Sequence, residues 1–278
     1  MSLTFDPAAH RYRLDGKPVT GVTSLISGGT PKEALIWWAA TTAGEWAAEH
    51  KDELATMADE SIIRGAQREH MRRRDDAGVT GTAVHALAEQ LHEHGTVETS
   101  DPLLASFVEG YAEFLDAWEI TPVLFERPCA NRAHWYAGMF DLLCTSPHLA
   151  GGELVQIDLK TSKSVHGETA LQTAAYSRAE FYVDGFDTET PMPEIAATYV
   201  AHVTPTHRDG SAARYGAAPL GTSLYTLAQT PRQLEEHFQM FLHAAATAKT
   251  KTKRDRLIKD PLTTPETTTT DAATTAAA

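Results

Sequence analysis

The chain has 278 residues, 42% hydrophobic and 22% charged, a balance that suits a globular protein with a sizeable core, either one elaborated domain or a core domain plus a helical subdomain. Its formal net charge of −13 argues against indiscriminate binding to nucleic acid, so any such contact needs local cations or bound metal. Two cysteines, Cys129 and Cys144, exclude a four-cysteine zinc or iron–sulfur site within one chain and agree with a reducing compartment.

The N-terminal MSLTFDPAAHRYRLDG lacks a signal-peptide core, and no apolar run approaches the roughly 18–20 residues of a membrane span. A cytoplasmic protein without membrane contact is expected. Residues 5–20 predict a hairpin turning at Asp15-Gly16. Residues 32–56 predict a helix whose Trp37, Trp38 and Trp46 serve as packing bulk, and residues 59–76 a second helix, broken by Asp75-Asp76-Ala77-Gly78. Arg64, Arg68, Arg72, Arg73 and Arg74 crowd that second helix. They are candidate phosphate contacts or simply a solvated face.

Thr82 reads as the N-cap of a helix running to His94, with Gly95 as its stop. His85 and Glu89 share a face of it. Asp101-Pro102 opens another helix, to about Trp118. From Thr121 the period changes to two. Residues 122–130, 136–146 and 155–160 predict three strands, the last two joined through Gly151-Gly152 as antiparallel neighbours. A helix over 168–183, a strand over 194–203, a hairpin over 214–227 and a helix over 231–249 follow. Lys249, Lys251, Lys253, Arg254, Arg256 and Lys259 crowd the end of that last helix, and the Thr/Ala-rich 261–278 reads as a disordered tail. Three units result: 1–78, an N-terminal hairpin and helical region; 79–260, an α/β core of helix, three strands, helix and strand; and the tail.

In Val155-Gln156-Ile157-Asp158-Leu159-Lys160 the alternation places Asp158 and Lys160 on one face, read as the exposed face of the sheet. Asp141 lies in the preceding strand, and if the register brings it to Asp158, two carboxylates require a proton or a cation between them. Oxygen ligands with an open position favour Mg²⁺ or Mn²⁺, and His85 would add an imidazole. The Leu159 backbone carbonyl is a further candidate ligand, as is Glu126. Lys160 would position water and stabilise charge on phosphorus, or act as a base with a depressed pKa. Gln172 and Tyr176, one turn apart, would project toward Lys160 and the DNA backbone.

These segments in order resemble the motifs of the PD-(D/E)XK nuclease superfamily, in particular its RecB-like branch of CRISPR-associated and bacteriophage exonucleases. They are GTAVHALAE (81–89), FERP (125–128), YAGMFDLL (136–143), IDLKTSK (157–163) and QTAAY (172–176). The resemblance covers about residues 80–205. It implies a restriction-endonuclease-like αβββαβ core, divalent-metal hydrolysis of DNA, metal ligands at His85, Asp141 and Asp158, and a catalytic Lys160. The four cysteines of the family's iron–sulfur members are missing, so no cluster is expected. The resulting expectation is an exonuclease of DNA recombination or repair, phage or bacterial, acting on single- or double-stranded linear ends, with a single-strand annealing or recombination protein as a possible partner. A structure-selective or nicking endonuclease, and a non-catalytic nucleic-acid-binding protein, are the alternatives.

Overall fold

The computed structural model describes residues 3–259 except 7, 8, 10, 32, 186 and 187, so the expected tail lies outside the described residues. The chain opens with β1 (Leu3–Asp6), β2 (Arg11–Leu14) and β3 (Lys17–Val19), which form a small antiparallel sheet. Asp15 and Gly16, at φ 51° and 75°, make the expected two-residue turn.

Four helices follow: α1 (Val22–Gly29), α2 (Glu33–Glu49), α3 (Asp59–His94) and α4 (Pro102–Ala117). The break expected at 75–78 does not occur. α3 runs unbroken for 36 residues, Thr82 is not a cap, and the expected boundary at 78 falls inside the helix. Arg72 reaches Asp76 one turn on at 2.9 Å, and Thr80 Oγ1 bonds back to the Asp76 carbonyl, which offset the weak helix propensity of the glycines. The ends are as the sequence predicts. Gly95 closes α3 at φ 71°, and the Asp101 carboxylate caps α4 by accepting from the Leu103 and Leu104 amides. Among the tryptophans expected to pack, Trp46 is buried against Gly65 of α3, whereas Trp37 is 76% exposed.

The second half is β4 (Thr121–Asn131), β5 (Tyr136–Thr145), β6 (Val155–Lys160), α5 (Glu168–Ser177), β7 (Phe181–Val183), β8 (Glu189–Pro191), β9 (Ala197–Val203), β10 (Thr222–Ala228) and α6 (Pro231–Arg254). The strands form one mixed seven-stranded sheet in the order β10-β9-β6-β5-β4-β7-β8. β4, β5 and β6 are antiparallel neighbours, and α5 carries the chain to β9, parallel to β6. The protein is an α/β fold. The helix expected over 168–183 stops at Ser177, because Phe181 and Tyr182 pair with Ala130 and Cys129 on the edge of β4. No hairpin forms over 214–227. Instead β10 pairs with β9 after a short 3-10 turn at Gly210–Tyr215.

Two hydrophobic layers sandwich the sheet. One joins Val84, Phe107, Tyr111, Ile157 and Tyr199, and the other joins Leu25, Phe140, Ala174 and Phe241. β6 is therefore buried on both faces, and the half-solvated strand expected from its alternation is not found. A central strand with a parallel neighbour is covered by helices on both sides. Cys129 of β4 and Cys144 of β5 are buried and unpaired.

Candidate active site

The strand registers bring the acids together. Phe125 faces Leu142 and Arg127 faces Phe140, so Glu126 stands level with Asp141. Leu142 faces Ile157, which sets Asp141 level with Asp158 one step further along. Three carboxylates thus lie in a row across three adjacent strands. α3 lays His85 over them: its Nδ1 is 2.9 Å from Glu126 Oε1 and 4.0 Å from Asp141 Oδ1. The ligand atoms of His85, Glu126 and Asp141 all lie within 4.8 Å of one another, and the group could hold a metal ion.

Asp158 stands beside this group, not within it. Completely buried, it has Lys160 Nζ 2.5 Å from its Oδ2, while its Oδ1 has no hydrogen-bond partner. Asp141 accepts the Leu159 amide at 2.6 Å. A buried carboxylate oxygen without a donor is costly, and a cation is the chemical species that would satisfy it. The oxygen-and-imidazole donor set fits a hard or borderline divalent ion. Of the candidate ligands, the one nearest the imidazole is Glu126. Its backbone, at φ 45°, is in the left-handed region, a strained conformation held at the position where it meets His85. Glu89, one turn beyond His85, lines the cleft.

Burial governs the charges. It raises the Asp141 carboxyl, further raised by Glu126 and opposed by His85 and Lys160. It likewise raises the Asp158 carboxyl, against the pull of Lys160. For His85 burial favours the neutral ring, but Asp141, Glu126 and Asp158 outweigh it and push the imidazole up to about 9. For Lys160 burial is again outweighed, by Asp158 and Asp141, and its pKa lies above the ordinary lysine value. Lys160 is thus an ammonium in the metal-free protein.

Gln172 and Tyr176 project from α5 as expected, but inward. Gln172 Oε1 accepts from Lys160 Nζ at 3.3 Å, and Gln172 Nε2 donates to the Tyr176 hydroxyl at 3.3 Å. Tyr176 is only 4% exposed, which corrects its expected reach to a DNA backbone. One residue had no signal in the sequence. His202 of β9, buried, pairs in register with Lys160, and its Nε2 lies 2.7 Å from the Ser162 carbonyl, tying down the loop after β6. The parallel pairing that reveals it is a tertiary fact.

The group opens into a cleft of about 780 Å³ lined by Gly78, Gly81, His85, Glu89 and Glu126, with Met139, Leu159, Lys160 and Ser162 opposite. A smaller cavity of about 360 Å³ adjoins it beyond Lys160 and Ser162, walled by α1 and the start of α5. Neither a family model nor a curated protein matches the chain. No helix among the described residues is long and apolar enough to cross a membrane.

Proposed function

We propose that the protein is a divalent-metal-dependent DNA nuclease of the PD-(D/E)XK type, an exonuclease of the RecB-like kind. The observation that carries the reading is the unpartnered, buried Asp158 oxygen beside Lys160, next to the His85–Glu126–Asp141 group, of which His85 and Glu126 line an open cleft. The order of elements from α3 through β4, β5, β6 and α5 to β9, with α4, β7 and β8 inserted, supports it as the αβββαβ arrangement of that superfamily. The role of exonuclease over nicking endonuclease comes from the motif resemblance.

His85, Glu126, Asp141 and Asp158 would hold Mg²⁺ or Mn²⁺, with the Leu159 carbonyl at hand beside Asp158. Such an ion, when bound, supplies Lewis acidity toward a phosphate oxygen and acidifies water. The residues of the chain supply the rest. Lys160, kept charged by Asp158, orients the attacking water and offsets negative charge growing on the phosphorus oxygens. Gln172 fixes the ammonium, and Tyr176 fixes Gln172.

Digestion of end-labelled linear DNA with Mg²⁺ or Mn²⁺, in parallel with covalently closed circles, tests the reading. Linear DNA is expected to be consumed from its ends and the circles to survive. Asp158→Ala and Lys160→Ala are each expected to lower the rate by at least about 100-fold, the usual scale for losing one charge-stabilising group. Cleavage of the circles would move the assignment to an endonuclease. Intact linear DNA at every metal concentration would end it.

A further inference from the structure

An acidic chain that handles a polyanion must place its cations where the substrate runs, and most of its arginines are already occupied. On α3, Arg72 and Arg73 are held by the buried Glu69 at 2.6 and 2.8 Å, and Arg73 also meets Glu45. Arg64 pairs with Glu60 and Arg74 with Asp75. Four of the five arginines of α3 are thus paired with carboxylates, and only Arg68, exposed, has no such pair among the described residues. At the cationic end of α6, Lys249 Nζ is occupied by the carbonyls of His134 and Trp135 in the β4–β5 turn.

Two cations beside the cleft differ. Arg214, exposed, donates from Nη2 to the Thr80 hydroxyl at 2.9 Å, and its Cζ lies 5.4 Å from the ring centroid of Tyr215. Both partners are neutral, the charge meets no carboxylate among the described residues, and most of its five N–H donors remain available. Tyr215 is anchored in the core against Phe107, which holds the guanidinium on a rigid base. Thr80 sits on α3 between Gly78 and Gly81, both of which line the cleft. Lys163, also exposed, has no ion-pair or hydrogen-bond partner among the described residues. It stands between Ser162, which lines both the cleft and the neighbouring cavity, and Ser164, which lines the cavity. The two neighbourhoods meet, because a Cβ at Gly81 would lie 3.1 Å from Thr161 Oγ1.

We propose that Arg214 and Lys163 hold backbone phosphates of the nucleic-acid strand where it passes the junction of α3 and the β6–α5 loop. The proposal rests on the nuclease reading and names the surface by which that site takes its substrate. These contacts bind without regard to sequence, since phosphates carry none. They position the strand and take no part in bond breaking.

The experiment is anisotropy of a labelled single-stranded oligonucleotide, without divalent metal, over a series of salt concentrations. Each phosphate contact on a single strand contributes about 0.7 to the slope of log affinity against log salt. Arg214→Gln and Lys163→Gln are each expected to lower that slope by about 0.7 and the double variant by about 1.4, with Arg214→Lys restoring part of it. In turnover the glutamine variants are expected to raise KM several-fold and leave kcat unchanged. Wild-type slopes in both variants, with wild-type binding intact, would overturn the proposal and leave the nuclease reading standing. A wild-type protein that neither binds nor cleaves DNA would overturn both. A fall in kcat at unchanged KM would likewise sink the positioning role.

Discussion

Gly138 of β5 and Tyr176 of α5 fit each other through a missing atom: a Cβ at position 138 would stand 2.3 Å from Tyr176 Cε1. The tyrosine is buried and its hydroxyl is bonded to Gln172, so it has nowhere to retreat. Gly138→Ala is expected to destabilise the fold by about 1–3 kcal/mol through overpacking. It should also lower activity, by detaching Gln172 from Lys160. Urea denaturation of Gly138→Ala, Tyr176→Ala and the double variant checks this: the two costs should be less than additive, and additivity would refute the contact.

If the His85–Glu126–Asp141 group takes a cation, His85 makes that binding depend on pH. With its imidazole pushed up to about 9, the metal-free site carries a proton at neutral pH that a cation must displace. The affinity for Mn²⁺ is therefore expected to rise as pH climbs toward about 9, with protons released on binding. For the metal-free fold the sign is opposite. The stabilisation from the charged imidazole is fully present below about 6.5 and is lost as pH rises through about 9. Calorimetric titration in buffers of different ionisation enthalpy measures the first, and denaturation in chelator measures the second. Both trends should vanish in His85→Ala.

Glu126 separates strain from ligation. A non-glycine residue in the left-handed region costs about 1–2 kcal/mol, and glycine relieves it. Glu126→Gly is expected to be more stable than Glu126→Ala by about 1 kcal/mol. Both should bind metal about 10- to 100-fold more weakly, whether the carboxylate is a ligand or the support of His85. Equal stability of the two variants would mean the conformation is not imposed by the site.

His92 sets an acid limit of its own. Burial pushes its imidazole down to about 4, and its Nε2 lies 2.9 Å from the Tyr111 hydroxyl, which the neutral ring can accept. The folded state thus resists a proton that the unfolded chain takes at about 6.5. Stability is expected to be full above about 6.5 and to decline as pH falls toward about 4. His92→Gln should flatten that part of the profile in denaturation measured at pH 7.5, 5.5 and 4.5.

Much of this protein is decided within a few residues, and there the sequence is enough. Asp15-Gly16 makes its turn, Gly95 and Asp101 end and begin their helices, and the strands around Asp141 and Asp158 alternate as strands do, because each of these choices rests on a local dihedral, a local hydrogen bond or a period. The continuity of α3 through Asp75 to Gly78 was hidden, since it depends on ion pairs and on the helix lying close over Thr161. So were the burial of β6 on both faces and the pairing of Lys160 with His202, which need a strand 42 residues away in sequence. Residue types told of acids, an imidazole and an ammonium. Only the tertiary structure chose Glu126 as the companion of His85 and left an Asp158 oxygen without a partner, because register and helix placement are properties of the whole packed sheet.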